Sequence, residues 1–394
     1  MDAIFAAYDE ALRDQARPAA FVDLDVFEQN LRDILQRSQG MPVRLASKSI
    51  RCPDLIRRAL ETNDQLQGLM CFHGLEACQL AQQGFDDLLV AYPSTDVFML
   101  KAVCDQLAQG SVITLMVDNA EQAARISTVA QEAGVVVPLC MDVDMSLHLP
   151  GLNFGVYRSP IRDVNTALAL YRAIAQLPNV ELQGVMGYEA QVAGLPDNVP
   201  GQRAKNLIVR QLKKRSVGVY QQRRQDVVAA LEKAGASLRF VNGGGTGSLE
   251  STASDPSVTE VTAGSGLYAP ALFDHYQHFK HGAALMFALE VCRKPETDIA
   301  TCLGGGYIAS GSAGKDKLPL PVWPQGLSLL DNEGAGEVQT PVRGDATLEI
   351  GDTVYFRHAK AGELTERFNK LLLVRGRECV GEALTYRGLG WQFI

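Results

Sequence analysis

Short apolar runs alternate with longer amphipathic stretches between residues 19 and 265. The apolar runs are rich in Val and Leu, as expected for parallel strands that are buried on both faces. We predict a repeated strand–helix order, which is typical of a closed barrel or a doubly wound sheet. The predicted strands are AAFVDLD (19–25), VRLASKS (43–49), QGLMCF (67–72), DDLLVAYP (86–93), VITLMVD (112–118), VVVPLCMDVD (135–144), LQGVMGYEA (182–190), SLRFVNGG (237–244) and VTEVTAGS (258–265).

These nine runs are one more than an eight-stranded barrel needs, so we assign the first to a second domain. After about residue 270 the pattern changes to short strands that are broken by Gly and Pro, which indicates an all-β domain. The predicted fold is therefore α/β: a (β/α)₈ barrel of residues 26–270, with an all-β domain built from residues 1–25 and 271–394.

The composition is that of an ordinary globular protein, with 46% hydrophobic and 21% charged residues and a formal net charge of −8. The densest basic run, at 213–215, is interpreted as a solvated helix face, and this acidic balance predicts no nucleic-acid partner. We also expect no signal peptide and no membrane span, since neither a basic leader nor a long apolar run is visible. Eight cysteines without a CxxC pair are expected to be reduced thiols, which indicates the cytoplasm.

Lys48 stands at the end of an apolar strand, between two serines. In barrels the chemistry lies at the C-terminal ends of the strands, where this lysine would be. A desolvated lysine can react as a neutral amine with a carbonyl carbon, and the small side chains of Ser47 and Ser49 leave room beside it. An ordinary lysine exposed at a strand end is the alternative.

Two glycine-rich turns follow the last two predicted barrel strands: VNGGGTGS (241–248) and AGSGLY (263–268). Small residues let backbone amides approach a phosphate closely, and barrel phosphate sites typically follow the last two strands. We predict a phosphate group here. A flexible turn is the alternative, and the absence of a following lysine excludes a Walker loop.

Three polar side chains lie at or after the ends of other predicted barrel strands. Tyr188 and Glu189 come at one strand end, where an aromatic ring could contact a flat ligand and the carboxylate could accept a hydrogen bond. Arg158 follows the strand that carries Asp142, and it could hold an anion or a ring nitrogen. A packed tyrosine and surface ion pairs are the alternatives.

Histidines occur in two further segments. In HYQHFKH (275–281) their spacing would not place all three on one face of a helix, so we interpret them as structural rather than as metal ligands. His358 lies in GDTVYFRHAKAGE (351–363), a β segment of the second domain that could reach a barrel mouth.

These motifs together resemble the pyridoxal-phosphate enzymes with the alanine racemase fold, also called fold type III. Within them the chain is most similar to the D-threonine aldolase and D-serine dehydratase group. The segments that carry the resemblance, over nearly the whole chain, are FVDLDVFEQNL, RLASKS, VNGGGTGS, AGSGLY and GDTVYFRHAKAGE.

The resemblance implies a pyridoxal 5'-phosphate cofactor bound to Lys48 as a Schiff base, and a homodimer. It implies catalytic roles for Lys48 and for His358, the latter at the substrate's β-oxygen. The other residues implied to bind the cofactor are Arg158, Tyr188, Gly244, Gly245, Thr246, Gly264, Ser265 and Tyr268.

The same resemblance implies a divalent metal (Mn, Mg or Zn) held by His358 and by a Cys or Asp two residues later. Here Lys360 stands at that second position, and a lysine is a poor metal ligand. Glu363 could replace it only if the loop folds back. The sequence therefore leaves the metal in doubt.

The activity implied is that of a lyase for a D-β-hydroxy amino acid, by retro-aldol cleavage or by dehydration. An amino-acid racemase is the first alternative; it needs a second base, for which Tyr307 and Tyr386 are available. A pyridoxal-phosphate carrier without turnover is the second alternative, although such proteins resemble a bare barrel without a β-domain.

Overall fold

The computed structural model describes residues 2–345 and 347–394. The helices are α1 Asp2–Ala11, α2 Leu24–Arg37, α3 Pro53–Leu60, α4 Gly74–Gln82, α5 Val97–Ala108, α6 Ala120–Ala133, α7 Val164–Ile174, α8 Ala190–Ala193, α9 Arg203–Lys233, α10 Leu249–Ala253 and α11 Ser265–Tyr268. Within this described part, no helix is both long and apolar enough to cross a membrane.

The strands are β1 Ala19–Asp23, β2 Val43–Ala46, β3 Leu66–Cys71, β4 Leu88–Val90, β5 Ile113–Val117, β6 Val137–Asp142, β7 Leu147–Leu149, β8 Leu152–Phe154, β9 Val180–Gly187, β10 Phe240–Gly243, β11 Glu260–Ala263, β12 Leu285–Glu296, β13 Ile299–Leu303, β14 Leu320–Trp323, β15 Ser328–Leu329, β16 Gln339–Arg343, β17 Thr353–Arg357, β18 Lys370–Arg375 and β19 Glu378–Leu384. Contacts divide the chain into two compact units, which are described separately: residues 34–48, 60–264 and 393–394, and residues up to 33, 49–59 and 265–392.

The first unit contains a closed barrel of parallel strands in the order β2-β3-β4-β5-β6-β9-β10-β11. The barrel closes where β11 pairs with β2, in a register that places Val261 opposite Val43 and Thr262 opposite Arg44. Every residue of β5 and of β6 is buried, which explains why these strands are continuous apolar runs in the sequence. The predicted eight-stranded barrel is confirmed.

A buried ionic cluster connects the seam of the barrel. Arg44 of β2 donates to both carboxylate oxygens of Glu260 in β11, at 2.7 and 2.9 Å, and to Asp87 just before β4, at 2.7 Å. Gly68 allows this arrangement, because its φ is +66° and a Cβ there would lie 2.4 Å from Arg44 Nη1. The cluster therefore fixes which strands meet at the seam.

The second unit contains a mainly antiparallel sheet in the order β15-β16-β13-β12-β1-β18-β19, with β17 pairing to β12 and β14. The first predicted strand, β1, lies inside this sheet, between β12 and β18. Its Phe21 packs with Tyr8, Phe5 and Tyr355 in an aromatic core. The predicted all-β sheet is confirmed, and it includes a strand from the start of the chain.

The basic positions on α9 do not form a uniform solvated face, so that interpretation was wrong in part. Lys214 and Arg215 are exposed, but Lys213 is buried, with Nζ 3.0 Å from Asp197 Oδ2. Arg224, further along the helix, is fully buried as well. Both side chains point inward because each has a buried carboxylate partner.

Candidate active site

Lys48 lies at the C-terminal end of β2, in the single turn Ser47–Ser49 that ends the strand. Its Nζ is 2.7 Å from the hydroxyl of Tyr92, which follows β4. The buried Ser47 hydroxyl donates to the carbonyl of Met70, at 3.0 Å, and so fixes the turn against β3. The amine for which the sequence predicts reactivity therefore stands at the barrel mouth with an aromatic hydroxyl beside it.

A cavity of about 410 Å³ opens beside Lys48. Its walls include Phe72, His73, Tyr92, Met99 and Ile394. The sequence interpretation missed His73 and Tyr92, although His73 directly follows the predicted strand 67–72 and Tyr92 lies near the end of the predicted strand 86–93. A search for polar side chains at the C-terminal end of every predicted barrel strand would have identified both residues.

His73 is held in one orientation at the edge of this cavity. Its Nδ1 accepts the backbone N–H of Leu75, at 3.2 Å, and caps α4. Burial lowers the pKa of His73, and the nearby carboxylate of Asp96 opposes that shift. Because Nδ1 accepts a hydrogen bond, the neutral ring carries its proton on Nε2.

Arg158 lies between two aromatic rings of the same barrel mouth. Its guanidinium carbon is 5.4 Å from the Tyr188 ring centre and 5.7 Å from the Tyr92 ring centre. Burial raises the pKa of Tyr188 to about 12, although the charge of Arg158 acts in the opposite direction. The structure thus brings together Lys48, Tyr92, Arg158 and Tyr188, three of which were predicted to bind the cofactor.

Asp142 ends β6 near this group. Burial raises its pKa to about 7; Arg158 opposes the shift, whereas the carboxylates of Asp118 and Asp144 add to it. A carboxyl group with such a pKa exchanges a proton near neutral pH, which is typical of functional sites.

The turn after β10 contains the predicted phosphate-binding residues Gly244, Gly245 and Thr246. Gly244 has a φ of +88°, which favours glycine, and the space at Gly245 is tight, because a Cβ there would lie 3.0 Å from Ala193 Cβ. The N–H groups of Gly244 and Gly245 donate to Glu189 and Ser248, at 3.1 and 3.2 Å. These two N–H groups are thus already bonded within the protein and are not the donors for a ligand. The two glycines instead let a ligand come close to the backbone, because they have no side chain.

The second glycine-rich turn runs from Gly264, at the end of β11, into the short helix α11. Tyr268 is fully buried, and its hydroxyl donates to the carbonyl of Ile50, at 3.0 Å. Burial raises the pKa of Tyr268 well above its ordinary value. The cofactor-binding role of Ser265 and Tyr268 stays a prediction.

His358 is 2% exposed and belongs to the β-sheet unit. Its Nδ1 donates to the carbonyl of Leu285, at 3.2 Å, and its Nε2 has no hydrogen-bond partner among the described residues. Burial, together with the adjacent Arg357, lowers the pKa of His358 to about 3. The ring is therefore neutral at physiological pH, with a proton-free Nε2.

The residues around His358 do not fit the divalent metal that the resemblance implied. Lys360 is exposed, and Glu363 accepts the N–H of Ser310, at 2.8 Å. In the described ranges, no three His, Cys, Asp or Glu side chains form a group that could hold a metal ion. A donor set with one histidine is too small for such a site.

The histidines of 275–281 belong to an aromatic cluster. His278 and His281 pack against the ring of Phe279, with ring centres 5.1 and 5.3 Å apart. The sequence argument assumed a helix, but only residues up to His275 are in a 3₁₀ turn. The spacing argument therefore does not apply to this segment.

The barrel mouth fits a phosphorylated aromatic aldehyde. It offers a lysine amine for the aldehyde carbon, flat aromatic walls beside an arginine, and a glycine turn where a Cβ would fill the space. Residues 22–271 match the family described as alanine racemase, N-terminal domain. The chain belongs to this family.

Two curated relatives are similar to the chain over somewhat less than two thirds of its length. The 3-hydroxy-D-aspartate aldolase of Paracoccus denitrificans (strain Pd 1222) is 26% identical over 261 residues, which is 64% of this chain and 60% of that protein. The D-threonine aldolase of Arthrobacter sp. is 27% identical over 250 residues, 63% of this chain. The chain thus spans 60% of the length of both relatives.

Two solved structures share the fold. The D-threonine aldolase from Filomicrobium marinum has a TM-score of 0.80 at 19% identity and covers 97% of both chains. The D-threo-3-hydroxyaspartate dehydratase from Delftia sp. HT23 has a TM-score of 0.77 at 19% identity, with 95% of this chain and 98% of that chain covered. At this identity the likeness shows the fold alone.

Proposed function

We propose that the protein is a pyridoxal-phosphate-dependent lyase that acts on a D-β-hydroxy amino acid, by aldol cleavage or by dehydration. One observation carries the proposal: the amine of Lys48 lies at the barrel mouth, 2.7 Å from the Tyr92 hydroxyl and beside a cavity of about 410 Å³. The names of the relatives and of the structures with the same fold support this class of substrate.

Each residue of the barrel mouth has a proposed task. Lys48 binds the cofactor through Nζ, and Tyr188 and Arg158 orient the cofactor's ring. The bound cofactor supplies a conjugated ring that takes up the electron pair released at the substrate's α-carbon. When Lys48 is displaced by substrate, its amine becomes an acid or base, and the Tyr92 hydroxyl holds Nζ in place for proton transfer.

The two reactions differ in the bond that breaks. In aldol cleavage the β-hydroxyl loses its proton and the Cα–Cβ bond breaks; the α-carbon then takes up a proton, which leaves glycine and an aldehyde. In dehydration the α-proton leaves and the β-hydroxyl departs as water, and hydrolysis then yields a keto acid and ammonia. The role of His358 at the β-oxygen stays a prediction from the resemblance; its Nε2 is proton-free, but a pKa of about 3 makes it a weak base. No step is assigned to a metal.

We also propose a homodimer, on the resemblance stated above, and a cytoplasmic location, on the eight free cysteines. Light scattering of the purified protein at several concentrations tests the dimer directly. A single mass of one chain at every concentration would contradict it.

The function is tested by absorbance and product analysis. Purified protein with pyridoxal phosphate should show a visible band that borohydride removes, and peptide mass spectrometry should then find the cofactor on Lys48. The Lys48→Ala variant should lose the band, whereas Lys205→Ala, on the exposed surface of α9, should keep it.

Incubation with D-threonine and with D-3-hydroxyaspartate, after dialysis against a chelator, then distinguishes the activities. Glycine plus aldehyde, or keto acid plus ammonia, is the expected product. Inversion of configuration alone would make the protein a racemase. A protein that binds the cofactor but turns over none of these substrates would be a carrier, and one that binds no cofactor would overturn the proposal.

A further inference from the structure

Glu189 is fully buried directly after β9, beneath the glycine turn that follows β10. Its Oε2 accepts the N–H of Gly244, at 3.1 Å, and a hydrogen bond from Arg224 Nη2, at 3.3 Å. Its Oε1 accepts a hydrogen bond from the hydroxyl of Thr252. Both carboxylate oxygens are thus engaged within the protein, so Glu189 is not the ligand-binding group that its strand-end position indicated.

Arg224 of α9 extends this network. It is fully buried, and its Nη1 donates to Asp255 Oδ2, at 2.7 Å, while Nη2 also donates to the carbonyl of Gly187, at 2.9 Å. A buried charge is stable only when it is paired and hydrogen-bonded, and here each charge has such partners. The network joins the longest helix, the end of β9 and the glycine turn into one rigid support.

The conformation of the turn depends on this support. Gly244 has a φ of +88°, and its N–H donates to Glu189 rather than to a neighbouring strand. The space is tight, because a Cβ on Gly243 would lie 2.9 Å from Thr252 Cγ2. The hydrogen bond to Glu189 therefore fixes where the backbone of the glycine turn starts.

We propose that Glu189 is a positioning residue for the cofactor's phosphate: its carboxylate holds Gly244 so that the glycine turn keeps the shape that receives the phosphate. This inference rests on the proposed function, since it presumes a phosphorylated cofactor. Glu189 acts through the turn and does not touch the cofactor.

An opposing effect of charge must be separated from this geometric effect. Two carboxylates and one guanidinium give the network a net charge of −1 (−1 −1 +1), which would repel a phosphate. Two substitutions separate the effects, because both remove the charge but only one removes the acceptor. Glu189→Gln keeps an oxygen for Gly244, since the Thr252 hydroxyl can turn to accept from the amide; Glu189→Leu fills the space without an acceptor.

The measurement is the ratio of the dissociation constants for pyridoxal and for pyridoxal phosphate, by absorbance titration of the cofactor-free protein. In Glu189→Leu the advantage of the phosphorylated form should fall by about tenfold, because a buried N–H loses its acceptor. In Glu189→Gln it should stay within about threefold of the wild type. Removal of the repelling charge alone would raise this advantage in both variants. Equal losses in the two variants would show that the acceptor for Gly244 makes no difference and would overturn the proposal.

Hydrogen exchange provides a readout without cofactor. The peptide that contains residues 241–248 should exchange faster in Glu189→Leu than in the wild type, and its rate in Glu189→Gln should stay close to the wild-type rate. An unchanged rate in Glu189→Leu would contradict the proposed support of the turn.

A matched control is Glu76→Leu. Glu76 is also fully buried after a barrel strand, and its Oε2 accepts the N–H of Phe72, at 2.7 Å. We expect this change to alter the affinities for both forms alike and to leave their ratio unchanged. A fall in the ratio here equal to that in Glu189→Leu would show that any buried carboxylate has this effect.

If Glu189→Leu does not fold, Thr252→Val replaces it. This change preserves shape and removes the hydroxyl that binds Oε1, so the ratio should fall by about threefold. An unchanged ratio would overturn the inference. Failure of the proposed function is distinct: the wild-type protein itself would then bind no pyridoxal phosphate, whatever residue stands at position 189.

Discussion

Removing Arg44 should destabilise the barrel that carries Lys48. The side chain of Arg44 is 1% exposed, and that of its partner Glu260 is 7% exposed. In Arg44→Met, Glu260 keeps a hydrogen bond from Asn242, at 2.8 Å, but loses its only cation within the described contacts. Leaving a buried charge without its partner lowers the free energy of unfolding by about 3–5 kcal/mol.

Asp87 should contribute less to this loss. Its side chain is 33% exposed, and it keeps an ion pair with Arg239, at 2.7 Å. Burial raises the pKa of Asp87, but the charges of Arg44 and Arg239 outweigh it, so the net shift is downward. A carboxyl with a lowered pKa stabilises the fold above its unfolded-state pKa, and this stability is lost as the pH falls through the folded-state pKa. In Arg44→Met the pKa of Asp87 should be lowered less, so this variant should lose less stability than the wild type as the pH falls.

Urea unfolding followed by far-UV circular dichroism at pH 7 measures the effect. Arg239→Met is the matched control: its side chain is 37% exposed, so its removal should cost about 1 kcal/mol or less. The double variant Arg44→Met with Glu260→Leu replaces the pair by apolar side chains and should recover most of the lost stability. If Arg44→Met costs no more than Arg239→Met, the claim that this cluster holds the barrel seam fails.

Three further predictions concern the site. Tyr92→Phe removes the hydrogen bond to Lys48 Nζ, at 2.7 Å, and should lower kcat about tenfold with little change in KM; Tyr157→Phe, 83% exposed, is the control, and equal kcat values in both variants would show that the contact is idle. The pKa of Asp142 is raised to about 7, so the wild type should lose stability as the pH rises from about 4 to 7, by about 1–4 kcal/mol, whereas Asp142→Asn should show a flatter dependence in urea unfolding. His358, with a pKa lowered to about 3, should keep a constant imidazole NMR shift between pH 5 and 8, and titration near 6.5 would contradict its burial in a neutral form.

Local features were enough to predict the class of fold and the position of one lysine at the barrel mouth. The strands could be predicted from apolar runs, because a strand that is covered on both faces lacks the alternation of apolar and polar residues. About five residues are enough to show this pattern. Lys48 could be found because a lysine at the end of such a strand breaks the apolar pattern. The two glycine turns could be found because tight backbone turns require residues without side chains.

The partners of these residues were decided by the tertiary structure. Tyr92 reaches Lys48 only because β2 and β4 end at the same mouth of a closed barrel. Glu189 could be seen at a strand end, but its burial depends on Arg224 and Gly244, which come from later parts of the chain. The sequence did not predict that Arg224 points inward, because a helix with many charged residues is normally expected to face solvent.

The sequence by itself determined the order of strands and helices, the amine at the barrel mouth and the glycines of the turns, because each follows from residues close together in the chain. Tertiary structure alone decided which carboxylates are buried and which aromatic rings face Arg158. It also decided that, among the described residues, no group of three ligand side chains forms around His358. The physical reason is that burial and pairing depend on groups far apart in sequence, which closure of the barrel and of the sheet brings together.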